Sequence, residues 1–108
     1  MPKKVDVTVQ VNGTAIELLD EDKKGGNAHL KKQDQMRWHI EDKTRPFTLT
    51  FSDLDSNNDA QPFGKIKIGP TTDTTLLTVT NTDSTYCKYD VEIGGCDKLD
   101  PIIIVDKS

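Results

Sequence analysis

Residues able to carry out chemistry are scarce in this chain. Of 108 residues only two are His, two Cys and two Met. Basic residues do not dominate either: 14 Lys and Arg stand against 18 Asp and Glu, for a net charge of −4 and a pI near 5.0. That balance excludes non-specific binding to nucleic acid or to anionic membranes, both of which need a basic face. No apolar run reaches the length of a membrane span. The opening Met1-Pro2-Lys3-Lys4-Val5-Asp6 lacks the apolar core of a secretory signal. The chain is therefore expected in the cytoplasm if this N-terminus is native, and in the periplasm or outside the cell if a signal was removed. No Gly-x-Ser-x-Gly elbow occurs, and Gly25-Gly26 and Gly94-Gly95 read as turn glycines rather than phosphate loops.

Apolar residues make up 33% of the chain and mean hydropathy is −0.60. Such a chain builds one domain over residues 1–108, with a thin core that suits two sheets sharing a single layer of side chains. The two cysteines, Cys87 and Cys96, read as free thiols. A strand from Cys87 to Ile93 spans about 20 Å, and a turn at Gly94-Gly95 then leaves Cys96 at the wrong end for a bridge.

The apolar residues are patterned. Val5, Val7, Val9 and Val11 alternate with Asp6, Thr8 and Gln10, the period of a half-buried strand. Asn12-Gly13 follows as a hairpin turn, predicting Val11 opposite Thr14, Val9 opposite Ile16 and Val7 opposite Leu18. Asp20 to Asn27 reads as a solvated loop, and Lys31-Lys32-Gln33-Asp34 as a tight polar turn into a strand with Met36, Trp38 and Ile40 inward. Phe47, Leu49 and Phe51 alternate with Thr48 and Thr50 after Pro46, which marks a strand start. Ser52 to Gln61 is a polar loop, with Phe63 plugging the end of the core. Lys65 to Ile68 is a short strand ended by Gly69-Pro70. Another carries Leu77 and Val79, with a turn at Asn81 to Ser84. Cys87, Tyr89, Val91 and Ile93 share a face of the next strand, and Pro101 opens a last one, Ile102 to Val105, apolar on both faces. About eight short strands without helical periodicity predict an all-β fold, an antiparallel Greek-key β-sandwich.

This order of elements resembles the cupredoxin-like superfamily, with the immunoglobulin-like sandwich as the near alternative. The match is to small bacterial cupredoxin-like proteins of unassigned function. It rests on the Lys-Lys-x-Asp turn before the strand of Trp38, on Lys88-Tyr89-Asp90-Val91, and on Leu99-Asp100-Pro101-Ile102-Ile103-Ile104-Val105. The resemblance implies positions for copper ligands: the first His slot falls at Pro46 or Phe47 and the Cys slot at Val91. Only His39 among His and Met residues follows Met36, so neither copper nor any other cofactor is expected.

The best chemical motif is Asp53-x-Asp55-x-Asn57-x-Asp59, whose alternating oxygen donors suit a calcium loop. Asn58 stands where an EF-hand has Gly and Gly64 where it has Glu, so Glu41 or Asp42 would have to supply the closing ligand. The bland reading is a loop whose Asp and Asn residues favour turns. His29 and His39 read as solvent-facing, Asp34 and Glu41 as surface charges, and Cys87 as inert packing on a core face. Lys65 and Lys67 lack the exposed aromatics of an oligonucleotide-binding face. The Thr-rich stretch from Thr71 to Thr82 reads as wet-face strand formers.

The leading expectation is a non-catalytic, copper-free binding or structural module that uses loop ends or a free sheet edge toward an unidentified protein partner. No catalytic residue, nucleic-acid partner or membrane partner is expected, and the chain reads as a monomer or weak oligomer. A calcium-binding module is the second expectation, and a small thiol-redox or enzymatic protein the third.

Overall fold

The computed structural model describes residues 2–20, 25–56, 58–82 and 85–106. Within them the chain forms nine strands and no helix: β1 (Lys4–Asn12), β2 (Ala15–Asp20), β3 (Ala28–Lys31), β4 (Gln35–Ile40), β5 (Phe47–Asp53), β6 (Lys67–Thr71), β7 (Leu77–Thr78), β8 (Tyr86–Glu92) and β9 (Ile102–Asp106). They build two sheets, one of order β2-β1-β4-β7 and one of order β3-β9-β8-β5-β6. The fold is an all-β sandwich.

Its core is the single apolar layer expected from the alternation. Val7, Val9, Met36, Trp38 and Ile40 from the four-stranded sheet meet Phe47, Leu49, Phe51, Tyr89, Val91, Ile103 and Val105 from the other, all fully buried. Trp38 lies at the centre, edge-on to Tyr89 at 5.1 Å, Phe63 at 5.9 Å and Phe51 at 6.2 Å between ring centroids. Such pairs add about 0.5–1.5 kcal/mol each beyond the area they bury. Phe63 plugs the core as its position beyond the loop suggested.

Four details depart from expectation, each for a local reason. The β1–β2 hairpin slips by two residues: Val9 faces Leu18 and Val11 faces Ile16, with Asn12 opposite Ala15. Gly13 and Thr14 are therefore the central turn residues, and Gly13 alone of the two has positive φ (67°), the pattern of a type II′ turn. A slip of two leaves every side chain on its own face, so the valine pattern accepts both registers.

The sheets are mixed rather than purely antiparallel. β1 pairs in parallel with β4, and β3 with β9, while the other five pairs are antiparallel. β2 takes one side of β1. The free side is then filled by a strand returning from the opposite sheet through the turn at Lys31–Asp34, which enters in the direction of β1. A strand unforeseen in the pattern, β3, makes this crossing; only Ala28 and Leu30 mark its buried face.

β6 runs through Gly69-Pro70 instead of ending there, and its register with β5 shifts between Phe47 and Leu49. Gly69 (φ 102°) lies so close to β5 that a Cβ would stand 2.6 Å from the Phe47 carbonyl oxygen. Of the turn read at Asn81 to Ser84, residues 83 and 84 lie outside the described set.

Candidate functional site

The Asp53 loop leaves the end of β5, and its first carboxylate serves the loop itself. Asp53 Oδ1 accepts the backbone N–H groups of Asp55 (2.9 Å) and Ser56 (3.1 Å). Its own N–H reaches the Asn58 carbonyl at 2.7 Å, and Asp59 bridges back to Ser52. Asn57 lies outside the described residues. Glu41 and Asp42 precede the start of β5, about 20 Å from Asp53 for a seven-residue strand, so neither is placed to close this loop. Asp42 Oδ1 instead accepts the Thr44 hydroxyl at 2.6 Å and its N–H at 3.1 Å, and these bonds hold its carboxyl below the usual range. Among the described residues no group of three or more His, Cys, Asp or Glu side chains is gathered to hold a metal ion. Phe47 and Val91, at the positions of copper ligands in the resemblance, are buried core residues.

The histidines are separated. His39 Nε2 lies 3.2 Å from Thr8 Oγ1 across the β1–β4 pair. His29 Nε2 lies 2.9 Å from Asp106 Oδ1, a partner supplied by the parallel β3–β9 register and invisible in linear spacing. Both cysteines are unbridged. Burial, assisted by the Asp53 carboxylate, pushes the Cys87 thiol up to about 11, which leaves it protonated and unreactive at neutral pH. Cys96 is half-buried and takes an Arg45 Nη2 contact at 3.3 Å.

Asp34 is not a surface charge. It is 7% exposed, and its carboxylate accepts two backbone N–H groups, Lys3 at 2.8 Å on Oδ1 and Lys31 at 2.9 Å on Oδ2. The main chain around it is also fixed, with Gln33 N–H donating to the Val79 carbonyl and Val79 N–H to that of Asp34. A second buried polar node joins the linker after β2 to the core. The Tyr89 hydroxyl donates to the Gly26 carbonyl and accepts Trp38 Nε1–H at 3.3 Å, while Gly26 N–H donates to Asp20 Oδ2 at 3.0 Å. Burial raises the Tyr89 phenol well above its ordinary value, so it acts as a neutral hydrogen-bonding group. Gly26 (φ 86°) has no room for a side chain: a Cβ would stand 2.6 Å from that hydroxyl.

With these groups committed to the frame, the sheet margins remain, and three of the four are closed by recognisable devices. At β3 the His29 carbonyl accepts Lys3 Nζ at 2.8 Å and Lys31 N–H is taken by Asp34, so side chains occupy the outer main-chain groups. At β6 Pro70 and the irregularity beside Gly69 interrupt the ladder. β7 has two residues only. β2 is different: six residues without Pro, Lys or bulge, paired among the described residues with β1 alone. It carries Leu19, the most exposed large apolar side chain at 47%. Others, Tyr86 and Ile102, lie on the outer face of the five-stranded sheet beside Ile104. The absence of Pro and Lys from Ala15 to Asp20 was readable, but its meaning emerged only once the neighbours of β2 were known.

No family model and no curated protein matches the chain. No helix among the described residues is long and apolar enough to cross a membrane.

Proposed function

We propose that the chain is a non-catalytic, copper-free β-sandwich of the cupredoxin-like type, kin to the small bacterial group named above, working as a binding or structural module. Its recognition element is the outer edge of β2. The cupredoxin-like assignment is supported by Trp38 facing inward on β4, by Tyr89 facing inward on β8, and by the β-branched closing strand β9.

The observation that carries the functional reading is the contrast among edges. Unpaired strand edges invite pairing with other chains, and proteins ordinarily blunt them. A six-residue edge without Pro, Lys or bulge, paired among the described residues with β1 alone, beside three closed ones is an acceptor for strand addition, in which main-chain hydrogen bonds supply affinity. The non-catalytic part of the reading is supported by the work the polar groups do. Cys87 is held protonated, Asp34 and Asp53 hold backbone, and the Tyr89 hydroxyl ties Trp38 to Gly26.

A photo-cross-linking residue at position 17, exposed on β2, tests this in cells that make the protein. Covalent adducts from position 17, and none from position 31 on the closed β3 edge, are expected. No adduct from position 17 overturns the reading.

A further inference from the structure

We infer that the occupant of the β2 edge is a second copy of this chain, joined by antiparallel β2–β2′ pairing about a twofold axis at Leu18. The inference rests on β2 being the recognition edge and goes beyond it by naming the partner and the register.

The hairpin fixes which main-chain groups are presented. In a two-residue turn the flanking pair, here Asn12 and Ala15, is hydrogen-bonded. Ala15, Glu17 and Leu19 therefore bond toward β1, and Ile16 and Leu18 aim their N–H and C=O groups outward. A twofold axis normal to the sheet keeps each side chain on its own face, so only registers that pair like faces are allowed. Placing Glu17 on the axis sets two carboxylates directly opposite each other, which is destabilising. Placing Leu18 on the axis sets Leu18 against Leu18′ on the core side, and Glu17 against Leu19′ on the wet side, twice by symmetry. In that register no like charges face each other, and both copies of exposed Leu19 gain a neighbour. The product is one continuous sheet, β7-β4-β1-β2-β2′-β1′-β4′-β7′, with an isologous interface.

Its size sets its strength. A strand of six residues is about 20 Å long, and pairing along one edge buries less than the roughly 1,000 Å² of a stable interface. Association in about the 0.1–1 mM range is expected.

Sedimentation from about 10 μM to 2 mM tests the inference together with amide exchange and two variants of one exposed site. The expected result is a concentration-dependent species of twice 12.0 kDa, with the Leu18 amide gaining protection as concentration rises. Leu19→Glu, which puts like charges opposite Glu17′, weakens association about threefold or more, and Leu19→Lys, which puts opposite charges there, does not weaken it. A monomer throughout the range overturns the inference, as does a dimer whose Leu18 amide is unprotected or one weakened equally by both variants. A monomer that still cross-links to another protein from position 17 overturns self-pairing while leaving the proposed function standing.

Discussion

β2 and β3 are consecutive strands, each the margin of its sheet, yet they are finished in opposite ways. β3 has four residues, and its outer main-chain groups are taken by Lys3 and Asp34. β2 has six, with no such hydrogen-bonding side chain at Ile16 or Leu18 among the described residues and an exposed Leu19. The residues between them are short on apolar content, and polar bonds fasten the linker: the Tyr89 hydroxyl on the Gly26 carbonyl, Gly26 N–H on Asp20, and Ile102 N–H on Asn27. The difference teaches that edge protection here takes several forms: polar side chains of Lys3 and Asp34 at β3, Pro70 at β6 and a two-residue length at β7. At β3 the Lys3 ammonium reaches the His29 carbonyl from 26 residues away and Asp34 takes the Lys31 N–H, and no equivalent side chain among the described residues reaches β2.

The strongest way to break this comparison is to open β3. Asp34→Ala leaves the Lys3 and Lys31 N–H groups without their charged acceptor, and a loss of about 2–4 kcal/mol is expected. Urea unfolding measures it, and a change below about 1 kcal/mol removes Asp34 as the closing device. The Lys31 amide should exchange faster in the same variant. Next in size, Tyr89→Phe strips the buried Gly26 carbonyl and Trp38 indole of their shared partner, at about 1–3 kcal/mol. If its melting temperature equals that of the parent, the linker is not anchored through this hydroxyl.

A third test uses pH. Cys87 rises from an ordinary value of 9.0 to about 11 in the fold. Its neutral form is thus favoured by folding: the contribution is complete below about pH 9 and is lost as pH climbs toward 11, up to about 3 kcal/mol. Cys87→Ala, with its own small packing cost, should flatten that part of the stability curve. A native chain treated with a thiol reagent at pH 8 should label at Cys96 and not at Cys87, as mass spectrometry of the digest shows. The smallest effect is expected for Lys3→Met, whose exposed ammonium bond to the His29 carbonyl is worth about 1 kcal/mol or less. Faster exchange or new association confined to β3, with little change in stability, would sharpen the contrast with β2.

Much of the frame was legible in the alternation of side chains. Val7 and Val9, the Met36-Trp38-Ile40 series, the Phe47-Leu49-Phe51 series and the faces of β8 all follow from a period of two, whereas β9, apolar on both faces, left its inward side open. Relations between strands were not. The hairpin slip preserves every face, so no hydrophobic pattern detects it. β3 offers two small apolar signals in a polar stretch, and the parallel β1–β4 pair depends on where that short strand crosses. Asp34 looked like solvent-exposed turn chemistry, since one of its two N–H partners, Lys3, lies 31 residues away in the chain. The β2 margin was hidden for the same reason: a strand is an edge only by virtue of what fails to lie beside it.

The closure of β3 has a further consequence for chain connectivity. Lys3 is tied by its amide to Asp34 and by its ammonium to His29, and His29 is tied to Asp106, so residues 3 and 106 leave the sandwich at one corner. A short Gly-Ser bridge from 106 to 3, with new ends cut in the Ser52–Gln61 loop, yields a circularly permuted sandwich that keeps both sheets.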